Sequence, residues 1–200
     1  MKKERIVLAS GNKHKIKEIS QMLPEFEVVG YKDLGFDFEI EENGNTFYEN
    51  ALIKAKAVAE ALNMPALADD SGICVDALNG EPGIYSARYA GDGDDNHNNQ
   101  LLLEKMKGVV DRSAKFVCCM VFYKPNGKIV TATGETHGRI LDQCYGENGF
   151  GYDPLFFSDD LEECLGLASA EKKNTISHRY RALKALKEKL QLKSKVDYTL

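Results

Sequence analysis

Met64-Pro65-Ala66-Leu67-Ala68-Asp69-Asp70-Ser71-Gly72 sets two adjacent carboxylates, a hydroxyl residue and a glycine directly after a short apolar run. The run, Ala66–Ala68, has the character of a buried strand, and the C-terminal ends of strands in α/β folds are where ligands sit. Carboxylates delivered there can hold a hard divalent cation or accept a proton from water. The same residues also suit an Asp-rich turn built on side-chain to backbone hydrogen bonds. If the strand stays regular, Asp69 and Asp70 point to opposite faces, so one is functional and the other structural. The alternation does not choose between them.

Working outward, Ile73-Cys74-Val75 reads as a further strand. Upstream, Thr46-Phe47-Tyr48-Glu49 has the spacing of a capping box, and Phe47, Ala51, Ala55, Val58 and Leu62 then step along one helical face. Ile6–Ala9 reads as a buried strand, Ser10-Gly11-Asn12 as a turn, and Lys13–Leu23 as a helix stopped by Pro24. Glu27-Val28-Val29 is a second strand. Residues 79–99 are rich in Gly, Asp and Asn without periodicity, which predicts a long functional or mobile loop. A short helix over Gln100–Lys107 and a strand over Ala114–Phe122 follow. Asn126-Gly127 then turns the chain into a strand over Ile129–Thr133. The last helix is expected from Asn174 to about Gln191, with Ile176, Tyr180, Leu183, Leu186 and Leu190 on its core face. The alternation is α/β, and the hairpin makes the sheet mixed.

The 200 residues suit one domain, or one domain with two lobes. The apolar share of 43% and charged share of 28% are those of a globular protein in water. No apolar run reaches a membrane span, and Met1-Lys2-Lys3-Glu4-Arg5 leads into too few apolar residues for a signal peptide. The cysteines at 74, 118, 119, 144 and 164 lack metal or disulfide spacing, so reduced thiols and a cytoplasmic setting are expected. A net charge of -5 argues against a nucleic-acid binder but leaves room for an anionic small substrate.

Four further segments carry chemistry. Ser10-Gly11-Asn12-Lys13-His14-Lys15 joins strand to helix, where backbone N–H groups attract phosphate and the lysines add charge. It is not a P-loop. Glu41-Glu42-Asn43-Gly44 offers an acid that could complete an oxygen-only magnesium site with an aspartate. Gly149-Phe150-Gly151-Tyr152-Asp153-Pro154 sets two aromatics among glycines, as an exposed loop offering rings for base stacking would. Glu171–Arg179 opens the last helix, and with Ile176 and Tyr180 on the core side, His178 and Arg179 are expected to project from flanking faces. Cations at a helix start cost about 0.3–1 kcal/mol each, so a bound anion or carbonyl would compensate. His14, His97 and His137 show no ligand spacing, and Asp92-Gly93-Asp94-Asp95 lacks the later Gly and Glu of a calcium loop.

Taken in order, S-G-N-x-x-K, E-E-N-G-x-T-F-x-E-N-A, A-D-D-S-G, P-G-I-Y-S-A-R-Y-A-G, G-F-G-Y-D-P and I-S-H-R resemble the inosine triphosphate pyrophosphatase family, the dITP/XTP pyrophosphatases. The likeness runs from residue 6 to about 190. Its one departure is Ser10, where Thr is commoner, and the hydroxyl is kept. Residues 193–200 match no family motif.

The resemblance implies a single domain over residues 1–200: a mixed α/β fold with an elongated central sheet, flanking helices and two lobes around a cleft. It also implies a homodimer and Mg²⁺-dependent hydrolysis of deaminated purine triphosphates to monophosphate and pyrophosphate. Carried over, Ser10, Gly11, Asn12, Lys13, His14, Lys15 and Lys54 would hold the phosphates. Glu42 and Asp70 would bind magnesium, with Asp70 also accepting the water's proton. Ser71, Phe150, Gly151, Tyr152, Asp153, Lys173, His178 and Arg179 would complete the nucleotide site. The choice of Asp70 over Asp69 rests on the family. Donors such as Lys173, His178 or Arg179 suit a 6-oxo purine and mismatch adenine, at roughly 1–3 kcal/mol for a buried mismatch. The competing readings are a pyrophosphatase of the same fold for another nucleotide and a non-catalytic nucleotide sensor.

Overall fold

The computed structural model describes residue 3 and residues 5–197, with side chains through Leu190. Of the terminal segments read above, Met1, Lys2, Glu4 and residues 198–200 lie outside the described residues. In chain order the elements are β1 (Arg5–Leu8), α1 (Lys13–Met22), β2 (Glu27–Gly30), α2 (Phe47–Leu62), β3 (Ala66–Val75) and α3 (Asp95–Lys105). They continue with β4 (Ser113–Tyr123), β5 (Ile129–Ile140), β6 (Phe156–Ser158), β7 (Glu163–Cys164), α4 (Ala170–Ile176) and α5 (His178–Asp197). The seven strands form one sheet in the order β2-β1-β3-β4-β5-β6-β7. β1 runs parallel to β2 and β3, whereas β6 runs antiparallel to β5 and β7, so the sheet is mixed.

The chain forms two compact units. The first comprises the chain through Asp70, Cys118–Gly134 and the segment from Arg181; the second comprises Ser71–Val117 and Glu135–Tyr180. In the first, strand alternation sorts the apolar side chains into two cores. Val7, Ala66, Ala68 and Val121 pack with Ala51, Ala55 and Val58 of α2. Leu8, Leu67 and Met120 pack with Ile19 of α1 and Ala182, Leu183 and Leu186 of α5. A strand buried on both faces needs continuous apolar residues, which is why β1 and the start of β3 read as runs rather than alternations. The second unit has one core, joining Ile73 and Val75 to Leu102, Met106, Phe116, Ile140, Tyr152, Leu155 and Phe156.

Five expectations need correction. First, β3 does not stop at Ala68; it continues through both aspartates to Val75 as one ten-residue strand. Second, the segment 79–99 is not wholly a loop. It contains a 3-10 helix over Gly83–Arg88, and α3 begins at Asp95 rather than Gln100. Polar residues build that start: Asp94 accepts from the amides of Asn96 and His97, and Asn98 and Asn99 are buried, so no apolar period marked it. Third, β5 runs on to Ile140 instead of ending at Thr133.

Fourth, the last helix is two helices broken at Ser177. Ser177 is extended (φ -61°, ψ 152°) and its Oγ accepts from Tyr180 N at 3.1 Å, so the hydroxyl caps α5 and ends the continuity that the apolar spacing suggested. Fifth, His178 and Arg179 do not project. They are buried, whereas Ile176 and Tyr180 are half-buried.

Candidate active site

The first cluster forms where β1 ends. Ala9 N donates to Leu67 O at 2.8 Å, and the pairing of β1 with β3 goes no further than Leu67. Asp69 and Asp70 therefore lie beyond the end of β1 while still in strand geometry. Asp69 continues the face of Leu67, and Asp70 that of Ala68. Each meets a lysine from the helix on its own face. Lys15 Nζ of α1 is 3.3 Å from Asp69 Oδ2, and Lys54 Nζ of α2 is 3.8 Å from Asp70 Oδ1. Lys54 also donates to Asp69 O at 2.7 Å and to Glu42 Oε1 at 2.8 Å.

Local sequence brings Glu42 there. Thr46 Oγ1 accepts from Glu49 N and caps α2, but Glu49 Oε2 answers to Asn45 N (2.6 Å) rather than to the cap residue. Gly44 N donates to Asn50 Oδ1, and a Cβ on Gly44 would sit 2.7 Å from Glu49 Cβ. Only glycine lets this loop fold back so closely on the helix start. Glu42 then comes over Lys54.

The electrostatics follow from burial. Desolvation pushes the pKa of Asp70 up, Glu42 and Asp69 add to that, and Lys54 and Lys15 oppose it. For Lys54, burial opposes the charge, but Asp69, Asp70 and Glu42 together outweigh it and leave the pKa raised. Asp70 Oδ2 is buried and accepts no hydrogen bond from the described residues. A carboxylate with a raised pKa and one open oxygen is equipped to take a proton. Two carboxylates converging on one cation, with an oxygen to spare, also fit a hard divalent ion. Among the described residues no three His, Cys, Asp or Glu are gathered to hold a metal, so the remaining ligands would have to come from substrate and water.

The segment Ser10–Lys15 is already internally bonded. Asn12 Oδ1 accepts from His14 N (2.9 Å) and Lys15 N (3.3 Å), and Ser10 Oγ accepts from Asn12 N (3.0 Å). An anion would therefore meet the exposed Lys13 and His14 side chains more readily than those two amides. Sequence reading missed Lys32, whose Nζ lies 3.9 Å from where a Cβ on Gly11 would stand. Two elements bring them together, so no local spacing could reveal it.

A second cluster lies in the second unit. Asp153, 2% exposed, is ion-paired with Lys173 at 2.7 Å and accepts from Phe150 N at 3.0 Å. Gly149 (φ +73°) is required beside it, because a Cβ there would be 2.1 Å from Asp153 Oδ2. Lys173 Nζ stands 4.6 Å from the centre of the Phe150 ring, and the Arg179 guanidinium 5.8 Å. Arg179 Nη2 donates to Ser71 Oγ at 3.4 Å. His178 stacks on Phe116, with ring centres 5.0 Å apart and planes 15° apart, a partner that sequence spacing gave no hint of.

The loop differs from expectation at Tyr152. Its ring is in the core and its hydroxyl donates to Ser86 O at 2.6 Å, so it does not join Phe150 as an exposed ring. A backbone acceptor was within reach of the phenol, and apolar neighbours drew the ring inward.

The sequence model of the Ham1 family matches residues 6–189. The chain belongs to the Ham1 family. That match spans every segment of both clusters in this Ham1 chain. A dITP/XTP pyrophosphatase of Staphylococcus aureus strain MRSA252 is 46% identical over 184 residues, covering 92% of this chain and 94% of the relative. One from Campylobacter jejuni is 45% identical over 199 residues, covering 96% and 99%. Two solved structures agree. The Staphylococcus aureus Ham1 protein superimposes with a TM-score of 0.86 at 45% identity, covering 95% of this chain and 100% of that one. A HAM1 protein from Coxiella burnetii gives 0.86 at 38% identity, covering 94% and 98%.

Proposed function

We propose that this Ham1 chain is a Mg²⁺-dependent nucleoside triphosphate pyrophosphohydrolase for deaminated purine nucleotides (ITP, dITP and XTP), releasing the monophosphate and pyrophosphate. The observation that carries the reading is the Glu42–Lys54–Asp70 cluster, with Asp70 Oδ2 buried and open. The relatives called dITP/XTP pyrophosphatases support the substrate class.

In this reading Glu42 and Asp70 hold the metal, which when bound neutralises phosphate charge and polarises a phosphoryl oxygen. Lys13, His14, Lys15 and Lys54 bind the triphosphate, with Ser10, Gly11 and Asn12 shaping the turn beneath it. Asp70 takes the proton of the attacking water. Phosphoryl transfer needs positioning and charge neutralisation more than covalent chemistry, so no nucleophilic side chain is required. Attack at the α-phosphorus lets pyrophosphate leave as a unit. Phe150 stacks on the base, while Lys173, His178 and Arg179 offer donors to its 6-oxo group. Gly151, Tyr152, Asp153 and Ser71 keep these in place. Among the described residues no helix is long and apolar enough to cross a membrane. We further propose a cytoplasmic homodimer with residues 1–200 acting as a single domain, and no nucleic-acid or membrane partner.

The test is pyrophosphate release from a panel of triphosphates with and without Mg²⁺. The expected result is metal-dependent release from ITP and XTP, little from ATP and GTP, and inosine monophosphate as co-product. Diphosphate plus orthophosphate would overturn the site of attack. Best turnover of another nucleotide would replace the substrate class, and binding without turnover would make the chain a sensor.

A further inference from the structure

The segment Asp92–Asn99, which the reading above leaves without a role, grips the loop that carries Phe150. Asp95 and Asn99 stand four residues apart on α3 and therefore on one face of the helix. Asp95 Oδ2 accepts from Gly151 N at 3.0 Å, and Asn99 Nδ2 donates to Gly151 O at 3.0 Å. Both backbone groups of one residue are thus held by two side chains of one helix. The preceding asparagine braces another turn through two residues: Asn98 Oδ1 accepts from Ala90 N (2.7 Å) and its Nδ2 donates to Ala87 O (3.1 Å).

Gly151 is the residue where this grip matters. It is left-handed (φ +60°), no tertiary neighbour lies near where a Cβ would be, and it links Phe150 to Tyr152. Tyr152 is already fixed in the core through Ser86, and Asp153 is fixed by Lys173. On the N-terminal side, Phe150 is half-exposed; Asp153 Oδ2 accepts from its N and Asp153 N donates to its O, and the peptide that joins it to Gly151 carries the amide that donates to Asp95. Asn99 is 5% exposed, and its Oδ1 accepts no hydrogen bond from the described residues. A buried acceptor left open is costly, and an apolar residue beside Leu102 would avoid that cost. The amide therefore serves the bond to Gly151 rather than the packing of α3.

We propose that Asp95 and Asn99 are positioning residues for the base: by clamping Gly151 they fix the Phe150 ring against which the purine stacks. This rests on the nucleotide-hydrolase reading above. Stacking acts in the bound ground state and the transition state alike, so a loosened clamp raises KM and leaves kcat nearly unchanged.

The experiment measures kcat and KM for inosine triphosphate, and amide exchange at Gly151, in the full chain carrying Asp95→Ala, Asp95→Asn or Asn99→Leu. Asp95→Ala and Asn99→Leu are expected to raise KM roughly threefold to tenfold, the worth of one hydrogen bond. Gly151 exchange should quicken in Asp95→Ala, while Asp95→Asn, which keeps an acceptor, should restore both readouts. Unchanged KM in both deletion variants, or a fall confined to kcat, overturns the clamp while leaving the hydrolase reading intact. Asn99→Leu that melts early with unchanged KM also overturns it, by showing a structural role alone. A wild-type chain that neither binds nor cleaves the nucleotide overturns the functional reading, and the clamp with it.

Discussion

The ammonium of Lys54 sits 2.8 Å from a carboxylate oxygen of Glu42. Residues twelve apart in sequence are joined there because Gly44 lets the loop fold back on α2, and the same ammonium reaches the two aspartates of β3. Three carboxyl-bearing residues and one ammonium thereby meet at one short stretch of strand. The predictions below follow from this cluster and from its counterpart around Asp153.

If Asp70 has the two roles proposed for it, Asp70→Asn should remove nearly all turnover, since a general base contributes about 10²–10⁴-fold and a lost metal ligand would add to that. Its effect on stability has a definite sign. The folded pKa of Asp70 is raised, so the folded state favours its protonated form. The stabilisation this gives is full below the unfolded pKa and is lost as pH rises through the folded one. Above that folded pKa the ionised side chain is a burden, and there Asp70→Asn should melt no lower than wild type. Melting curves and turnover measured together check this. Asp69→Asn should cost less activity; an equal or greater loss would exchange the roles of the pair.

Lys173 and Asp153 form an ion pair with both side chains nearly closed to solvent. Removing one partner takes away the opposite charge facing a buried one, which costs about 3–5 kcal/mol. Asp153→Ala should therefore lower the melting temperature by roughly 6–20 °C for a chain of this size. Asp153→Asn, still able to accept from Phe150 N and Lys173, should cost less. Thermal unfolding at neutral pH compares the two.

Arg179 is 1% exposed and points its guanidinium towards the Phe150 ring and Ser71. Arg179→Gln, which keeps much of the volume, should lower kcat/KM for inosine triphosphate far more than for adenosine triphosphate. The expected loss is about 1.5–3 kcal/mol, the worth of a hydrogen bond from a charged donor. An equal fall for both substrates would assign Arg179 to the fold or the phosphates and pass the base-reading role to Lys173.

His97 bonds to Asp92 at the start of α3, and that bond together with the charges of Asp92 and Asp94 raises its pKa above 6.5. Asp92 is correspondingly lowered below 3.8, first by the amide of Asp94 and then by His97. The stabilisation from His97 is full below its unfolded pKa and disappears as pH rises through the folded one. The stabilisation from Asp92 is full above its unfolded pKa and disappears as pH falls through its folded one. Both hold from roughly pH 4 to pH 6.5. An NMR titration of the His97 ring should give a midpoint above 6.5 that falls in Asp92→Asn.

Sequence alone determined the α/β class, the mixed sheet, the helices over Lys13–Met22 and Phe47–Leu62 and the family, because those depend on apolar periodicity, caps and turn residues that act locally. It also determined that Asp69 and Asp70 face opposite ways, since strand alternation is a property of the backbone. Tertiary structure decided which lysine meets which aspartate, because α1 and α2 cover different faces of the sheet. It buried His178 against the Phe116 ring, Arg179 beside the Ser71 hydroxyl, and Tyr152 in the core with its hydroxyl on Ser86 O. It also built the start of α3 from aspartate and asparagine, where hydrogen bonds to distant backbone replace the apolar face that a sequence pattern can register.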